Sequence, residues 1–187
     1  MEIESLPIDG VLLLTPKMFR DERGFFSESY SKKSAAEHGI ELEFVQDNHS
    51  YSERRGTVRG LHYQEPPFAQ AKLVRCVRGA MMDVVVDMRR GSPTFGRWAS
   101  ATISAENRLQ IYVPIGFAHG ICTLEPDTEV LYKASNFYSP EHDRGVLWND
   151  PALAIDWPVG SDQAQLSDRD KLQPPLEQID SPFNSCD

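Results

Sequence analysis

Short runs of hydrophobic and β-branched residues recur along the chain, and turn-forming residues separate them at close intervals. The runs are GVLLL, KLVRCVRG, MMDVVVDM, RWASATI, RLQIYVP, TEVLYKA and GVLW. Each run has the length of one strand, and Gly, Pro, Asn or Asp interrupts the sequence between the runs. Many short strands at this spacing are typical of a β-sandwich or a β-barrel. The pattern therefore predicts an all-β fold.

Helical signals are rare in this sequence. SKKSAAEHG is predicted to form a short helix, because Ser31 is a good N-cap and Gly39 can end the helix in a left-handed conformation. A second short helical turn is predicted to start at Ser167 in SDRDKL. An all-β fold with a few short helices accounts for both patterns.

The chain shows no internal repeat, linker or low-complexity tract. Its 187 residues are enough to bury one core, so residues 1–187 are predicted to form a single domain. Residues 1–9 are expected to be an N-terminal extension. Residues 174–187 are expected to be a loose C-terminal tail that begins near Pro174.

Composition and charge argue against several classes of partner. Hydrophobic residues make up 40% of the chain and charged residues 25%, as in an ordinary globular protein. The net charge of −9 argues against nucleic acid or an anionic membrane as the main partner, although local arginines can still bind one small anion. The start, MEIESLPIDG, lacks the features of a signal peptide, and no apolar run approaches the roughly 20 residues that span a membrane.

The cysteines favour a reducing compartment. Cys76, Cys122 and Cys186 are an odd set without the paired spacing of a metal site. Cys76 and Cys122 are predicted to lie in the core and Cys186 in the tail, which fits a cytoplasmic protein. A nucleophilic role for Cys76 is the less favoured alternative to a core thiol.

Strand periodicity assigns side chains to faces, because successive residues of a strand point to opposite sides. In TEVLYKA, Tyr132 shares a face with Val130 and Ala134. In AKLVRCV, Lys72 shares a face with Val74. Polar side chains among small apolar ones on one face predict a pocket that is lined by strands.

RGLHYQ is predicted to place His62 and Gln64 on the same side of a strand. Strict alternation places Arg59 on the opposite side from His62. Both side chains can serve one site only if the chain kinks or bulges, and Gly60 between them is the residue type that permits this.

VPIGFAHGI matches the P-x-G-x-x-H pattern of the second cupin motif, with His119 as its histidine. Metal-binding cupins supply most of their ligands from an H-x-H pair and a following carboxylate. Here that pair is replaced by His62, Tyr63 and Gln64, and Lys72 lies beyond it. An amide and an ammonium are poor ligands for a divalent ion. The sequence therefore predicts no metal site.

Without a metal, the polar residues suit proton transfer beside a carbonyl, through an enolate. His62 is a natural general base, because histidine has a reference pKa of about 6.5. Tyr132 can donate a proton, since a phenol with a reference pKa of about 10 stays protonated. Lys72 can stabilise negative charge on an oxygen. A single histidine or tyrosine on a strand is more often structural, so the residues alone leave both interpretations open.

Longer motifs occur in the order that is found in one enzyme family. They are FRDERGFFSESY, FVQDNHSYSERRGTVRGLHYQ, PPFAQAKLVRCVRGAMMDVVVDMRRGSPTFG, VPIGFAHGI, EVLYKASNFYSPEHDRGVLWNDPALAIDWP and LSDRD. From about Gly10 to Leu176 the chain resembles the dTDP-4-dehydrorhamnose 3,5-epimerase family. The resemblance implies a cupin-type jelly-roll β-sandwich, a homodimer, and an activity that needs no metal or organic cofactor.

The resemblance also implies catalytic roles. His62 would remove a proton, and Tyr132 would donate one on the opposite face of the sugar ring. Asp170, in SDRD, would pair with His62 and hold its imidazole in one tautomer. Lys72 would lie beside the C4 oxygen. The glutamines of RGLHYQEPPFAQ are expected to shape the pocket.

Further positions match substrate contacts of the family. They are Arg23, Arg59 and Arg169 near the diphosphate, Tyr138 against the thymine ring, and Glu28, Gln46, Asp47, Asn48, His119 and Asp143 elsewhere. In the family, the segment that corresponds to Arg23 and Glu28 comes from the neighbouring subunit. Asp143 stands where the family usually has glutamate, and Arg169 stands where lysine is common. These two departures affect details of substrate contact rather than the reaction class.

The implied reaction is epimerisation at C3 and C5 of dTDP-4-dehydro-6-deoxy-D-glucose, a dTDP-4-keto-6-deoxy sugar, to give dTDP-4-dehydro-L-rhamnose for deoxysugar biosynthesis. One alternative is an epimerase that inverts a single centre or accepts a related nucleotide sugar. Two others are a metal-dependent cupin oxygenase and a non-catalytic sugar-binding cupin.

Overall fold

The computed structural model describes residues 1–185, and antiparallel strands dominate it. Within these residues the strands β1 to β13 are, in chain order, Glu2–Ser5, Leu12–Thr15, Phe19–Asp21, Gly24–Phe26, Gln46–Ser52, Val58–Gln64, Lys72–Arg78, Ala80–Asp87, Trp98–Ser104, Gln110–Val113, Phe117–Thr123, Thr128–Ala134 and Asp143–Gly145. The helices are α1, Lys32–Ala36, and two 3₁₀ turns, Asp170–Leu172 and Leu176–Gln178. The predicted all-β fold with a few short helices is confirmed.

Two sheets face each other. One has six strands in the order β1-β2-β10-β7-β12-β5, the other has five in the order β13-β6-β11-β8-β9, and β3 and β4 form a separate hairpin. From β5 onward, consecutive strands alternate between the sheets up to β8, and the orders β5-β12-β7-β10 and β6-β11-β8-β9 are those of a jelly roll. The predicted jelly-roll sandwich is therefore confirmed.

The main core lies between the sheets. Val74 and Val130 from the six-stranded sheet pack against Val85, Ile103 and Phe117 from the five-stranded sheet, and all five side chains are buried. Each of these residues alternates with outward-pointing neighbours along its strand, as the periodicity of a strand requires. Apolar side chains do not fill the whole space between the sheets. Polar residues line the remaining part, and they form the site described below.

The outer face of the five-stranded sheet is also covered, and the C-terminal residues supply much of the cover. Phe183 is buried against Tyr63 of β6, and Leu176 and Ile179 pack against the same cluster. The Phe183 carbonyl also accepts a hydrogen bond from the Arg90 amide at 2.9 Å. The prediction of a loose tail from Pro174 is wrong as far as residue 185, because β8 is hydrophobic on both faces and needs this second layer.

Two strand predictions need correction. GVLW was expected to be a strand, but β13 ends at Gly145, and the residues after it turn away to pack Trp148 in a separate cluster. β5 was not predicted, since its sequence QDNHSYS is polar. Its inward residues face a cavity rather than the core, so hydrophobic periodicity is absent from it. β1, within the predicted extension 1–9, pairs with β2.

The helix predictions are correct in place and slightly wrong in length. Ser31 caps α1, and its hydroxyl accepts a hydrogen bond from the Ser34 amide at 3.3 Å. The helix ends at Ala36, and Gly39 follows in a left-handed conformation with φ of 82°, three residues beyond. Near Ser167 the regular turn begins only at Asp170.

Cys76 and Cys122 are buried free thiols, as predicted, and burial raises the pKa of both. This favours the core interpretation of Cys76 over the nucleophilic one. Cys186 lies outside the described residues. Among residues 1–185 there is no helix with the length and apolar character that crossing a membrane requires.

Candidate active site

A cavity lies between the two sheets and brings the predicted base, acid and cation together. Its lining residues come from five strands: Ser50, Arg59, His62, Lys72, Val74, His119, Ile121, Val130 and Tyr132. An adjoining groove shares Arg59 and His62 and extends to residues 165–170. Together the two spaces can hold an elongated ligand with two chemically different ends.

Strand alternation correctly predicts which side chains point into the cavity. Tyr132 and Val130 line it from β12, and Lys72 and Val74 line it from β7. Tyr132 lies opposite Val74 in the antiparallel register of these strands. All four residues come from the six-stranded sheet, whereas His62 comes from the five-stranded sheet. The candidate base and the candidate acid therefore occupy opposite walls.

A bulge at Gly60 brings Arg59 and His62 to the same side, which meets the condition for both to serve one site. The register of β6 against β11 shifts there, because His62 pairs with His119 while Arg59 pairs with Ile121. Gly60 has φ of 131°, and a Cβ atom on it would lie 2.5 Å from the Cα atom of Gly120. Only glycine fits this conformation and this close approach.

His62 is paired with a carboxylate that comes from a distant part of the sequence. Its Nε2 lies 2.6 Å from Asp170 Oδ1, although the two residues are 108 positions apart. Burial tends to raise the pKa of the Asp170 carboxyl, but hydrogen bonds from His62 and Ser167 and the attraction of the imidazole outweigh it and lower the pKa. A carboxylate in this position fixes the tautomer and the orientation of the imidazole ring. Nδ1 is then the ring nitrogen left to face a substrate.

Tyr132 is a phenol whose proton is held firmly. Burial raises its pKa, and the negative charge of Asp143 raises it further against the opposing effect of Arg59. Within residues 1–185 its hydroxyl group makes no hydrogen bond, so it is free to donate into the cavity. Both features suit a proton donor.

Lys72 supplies an ammonium group to the cavity, and burial changes its titration. Desolvation lowers the pKa of its ammonium to about 8, while the charges of Asp143 and Asp83 oppose this shift. No other described residue makes a hydrogen bond or an ion pair with its Nζ atom. An unpaired ammonium in an enclosed site is suited to stabilising negative charge that develops on a ligand oxygen.

Asp83 is a site residue that the sequence reasoning missed. Its Oδ2 lies 2.9 Å from His119 Nε2, which makes a second imidazole–carboxylate pair beside the first. Asp83 is fully buried on β8, and its Oδ1 has no hydrogen-bond partner among the described residues. The signal in the sequence was a carboxylate within MMDVVVDM, because a buried charge needs a partner.

The two departures from the family pattern meet at one edge of the site. Asp143 Oδ2 accepts hydrogen bonds from Arg169 Nη1 at 2.5 Å and from the Tyr138 hydroxyl at 3.1 Å. The aspartate side chain, which is shorter than the usual glutamate, is thus bound by an arginine, which is longer than the common lysine. Arg169 directly precedes Asp170, so the pair also fixes the turn that carries the partner of His62.

Other predicted contacts surround this edge. Arg59 donates to Ser52 Oγ at 3.1 Å and to the Tyr51 carbonyl at 2.8 Å, which holds its guanidinium between the cavity and the groove. Gln46 accepts a hydrogen bond from the Tyr138 amide at 3.0 Å and donates to Asn48 at 2.9 Å.

Three predicted contact residues lie apart from the cavity within this one chain. Arg23 is at the tip of the β3–β4 hairpin, where it pairs with Asp21 and its side chain is 85% exposed. Glu28 lines a separate surface recess beside Phe26. Asp47 points outward from β5 and pairs with Lys133 at 2.8 Å. The single chain therefore does not bring Arg23 and Glu28 to the site.

We expect full activity to survive EDTA and dialysis. Among residues 1–185 no group of three or more His, Cys, Asp and Glu side chains is placed to hold a metal ion. His62 and His119 are instead committed to carboxylate partners. The check is activity after chelation together with metal analysis of the protein. Loss of activity that one divalent ion restores would contradict the prediction.

Comparisons with known proteins agree with this geometry. The sequence profile of the dTDP-4-dehydrorhamnose 3,5-epimerase family matches residues 5–178. The enzyme of that name from Shigella flexneri is 52% identical over 171 residues, which cover 91% of this chain and 93% of the relative. A crystal structure of the Bacillus anthracis enzyme with TDP and pyrophosphate bound is 50% identical, with a TM-score of 0.90 over 93% of this chain and 98% of that one.

A third relative was solved with a sugar nucleotide. The dTDP-6-deoxy-D-glucose-3,5-epimerase of Legionella pneumophila, in complex with dTDP-4-keto-L-rhamnose, is 45% identical, with a TM-score of 0.91 over 96% of this chain and 94% of that one. Identity at this level over nearly the whole chain, together with the same fold, settles the family. The chain belongs to the dTDP-4-dehydrorhamnose 3,5-epimerase family.

Proposed function

We propose that this protein is an isomerase that inverts C3 and C5 of dTDP-4-dehydro-6-deoxy-D-glucose and releases dTDP-4-dehydro-L-rhamnose, in the biosynthesis of dTDP-L-rhamnose. The observation that carries the proposal is the placement of His62 and Tyr132 on opposite walls of one cavity. Inversion removes a proton from one face of a carbon and adds one to the other face. A base and a separate acid on facing sheets match that demand.

The chemistry at each centre follows from the three side chains. The C4 ketone makes the hydrogens on C3 and C5 acidic. His62 takes the proton, and the C–H electron pair becomes an enolate whose negative charge lies on the C4 oxygen. The Lys72 ammonium stabilises that oxygen. Tyr132 then gives its proton to the other face of the carbon, which restores the ketone, and solvent re-protonates the phenolate and removes the proton from His62.

The groove beside the cavity is proposed to hold the nucleotide. Arg59 lies between the two spaces, and a guanidinium binds a diphosphate well because it is always charged and donates in a planar fork. Arg169 is proposed as a second contact of the diphosphate and Tyr138 as the ring that stacks on thymine. Gln46, which accepts a hydrogen bond from the Tyr138 amide, and Asn48 beside it are proposed as further contacts.

The free protein should lose kcat/KM as the pH rises through about 8, because Lys72 is charged below its lowered pKa and neutral above it. The loss is expected to be about tenfold per pH unit. Lys72→Arg is the matched control, since a guanidinium stays charged to about pH 12 and should move the fall to higher pH. The measurement is the pH profile of kcat/KM for both proteins. If kcat/KM of wild type and of Lys72→Arg falls at the same pH, deprotonation of Lys72 is not the cause of the fall.

We propose that the active form is a homodimer in which the hairpin carrying Arg23 and Glu28 completes the neighbouring site. The hairpin exposes Phe19, Phe25 and Phe26, which are between half and 70% exposed in the single chain. Phe19 and Phe26 lie side by side with their ring centroids 6.4 Å apart, and exposed aromatic side chains that pair in this way are typical of an interface. The cytoplasm stays the predicted location, on the strength of the two buried free thiols.

A mixture of two inactive variants tests the shared site. If Arg23 acts in the partner's site, hybrids of Arg23→Ala and His62→Ala chains contain one intact site. We expect the co-refolded mixture to regain about a quarter of wild-type activity, since half of the dimers are hybrids and each has one site. No recovery above either variant alone, with mixed dimers demonstrated, would contradict the sharing.

The experiment that tests the function is conversion of the pure substrate, followed by NMR of the sugar ring. The expected product has both C3 and C5 inverted. Inversion at one centre would instead assign the protein to the single-centre alternative. An unchanged substrate, with nucleotide binding intact, would favour the sugar-binding alternative and overturn the proposal.

A further inference from the structure

Gln64 lies two residues from His62 on β6, and its side chain is almost fully enclosed. The residue is 4% exposed, and it is paired with Asp143 in the register of β6 and β13. A buried carboxamide is costly unless its donors and acceptor are used. Gln64 belongs to the same strand face as the base, yet it does not line the cavity.

The carboxamide is used almost completely, and each partner is a backbone group of a loop. Its Nε2 donates to the Phe68 carbonyl at 2.6 Å and to the Phe137 carbonyl at 3.1 Å. Its Oε1 accepts from the Ser139 amide at 2.8 Å. A primary amide has the two N–H donors and the oxygen acceptor that this arrangement requires. No other side chain of the same size supplies both kinds of group.

The segment bound by Gln64, residues 136–139, carries Tyr138 and has little apolar anchorage of its own. Phe137 is 61% exposed and Tyr138 is 54% exposed, so core packing does not hold them. Polar contacts hold the segment instead, including Gln70 Nε2 to the Asn136 carbonyl at 2.8 Å. Gln64 makes two hydrogen bonds to this segment, and Gln70 makes one. The two bonds of Gln64 lie on either side of Tyr138, at residues 137 and 139.

We infer that Gln64 is a positioning residue that holds the backbone on both sides of Tyr138 and so sets the affinity for the nucleobase of the ligand. The inference rests on the proposed function in that it takes the Tyr138 ring to stack on a pyrimidine base. Gln64 thereby links the strand that carries the base His62 to the loop that binds the far end of the substrate. Removing the link weakens binding without removing any group that takes part in proton transfer.

The test uses dTDP as the probe and measures its dissociation constant by calorimetry. Gln64→Glu keeps the shape but places an oxygen against the two carbonyl groups that now accept hydrogen bonds. We expect it to weaken dTDP binding by up to the effect of Tyr138→Ala, roughly 5- to 140-fold for one stacked base. In turnover, KM should rise by a similar factor while kcat changes by less than about threefold.

The double variant separates positioning from a general loss of structure. If Gln64 acts through Tyr138, Gln64→Glu should weaken dTDP binding little further in a Tyr138→Ala background. Lowering the pH protonates the introduced carboxyl, which can then donate to one carbonyl, so affinity relative to wild type should partly recover. Gln110→Glu is the matched control, because Gln110 is equally buried and its carboxamide donates to the Ser29 carbonyl rather than to this loop.

Additive effects of the two substitutions would overturn the inference, and so would a fall in kcat at unchanged KM. If Gln64→Glu does not fold, Gln64→Met supplies similar volume without the hydrogen bonds and is held to the same criteria. Failure of the proposed function is separate, since it would appear as wild-type protein that binds dTDP but does not epimerise. The calorimetric comparison requires no chemistry and is unaffected by that result.

Discussion

Replacing His62 with alanine should stop epimerisation and also stop solvent exchange at both C3 and C5. The imidazole is the group that takes the proton, and it is oriented by Asp170 at 2.6 Å. Without a base no enolate forms, so neither reaction can start. A positioned base is worth about 10²–10⁴ in rate, and here it is used at two centres. NMR of the sugar after incubation in D₂O measures both losses.

Two further variants make this prediction specific. The rate of Asp170→Asn should fall between those of wild type and His62→Ala, because the imidazole remains but loses the carboxylate that orients it. His38→Ala, at an exposed position two residues after α1, should leave activity unchanged. Exchange that continues in His62→Ala at the wild-type rate would assign the base to another residue, with His119 as the first candidate.

Tyr132→Phe should separate exchange from inversion. His62 can still remove a proton and return it from its own side, so deuterium should enter without a change of configuration. Inversion should fall by about 10²–10⁴, since the donor on the opposite wall is missing. The phenol is suited to this role because burial and the charge of Asp143 raise its pKa.

The matched control is Tyr112→Phe. Tyr112 is another buried tyrosine whose pKa burial raises, to about 12, but it lies in a different cluster, against Leu73 and α1. The same loss of a hydroxyl should there leave inversion intact. Near-normal inversion by Tyr132→Phe would mean that the second proton comes from another group. It would contradict the role of Tyr132 as the donor on the wall opposite His62.

The sequence predicts most of the strands because their periodicity reports the sandwich core. It also identifies Gly60 as the place where a bulge is needed if Arg59 and His62 are to share one cavity, and the structure has a bulge there. β5 could not be predicted from periodicity, because its inward-facing residues line a cavity and are polar. The docking of the segment around Phe183 could not be predicted either, because the outer face that Phe183 covers is assembled from strands distant in the sequence.

The site was predictable to a different extent. Alternation places Tyr132, Lys72 and His62 on inward faces, but periodicity cannot show that three separate strands meet. The pairing of His62 with Asp170 spans 108 positions and was implied by family resemblance alone. Gln64 was expected to shape the pocket, yet its three backbone partners depend on where two loops converge, which no local pattern reports.

The central claim is that one chain removes and returns protons at two carbons beside the same ketone. Its most direct test is incubation of the wild-type protein with dTDP-4-dehydro-6-deoxy-D-glucose in D₂O, with deuterium and configuration read at C3 and C5 by NMR. The account predicts solvent deuterium and inversion at both carbons. Inversion without deuterium at either carbon, or an unchanged sugar with no deuterium at all, would contradict it.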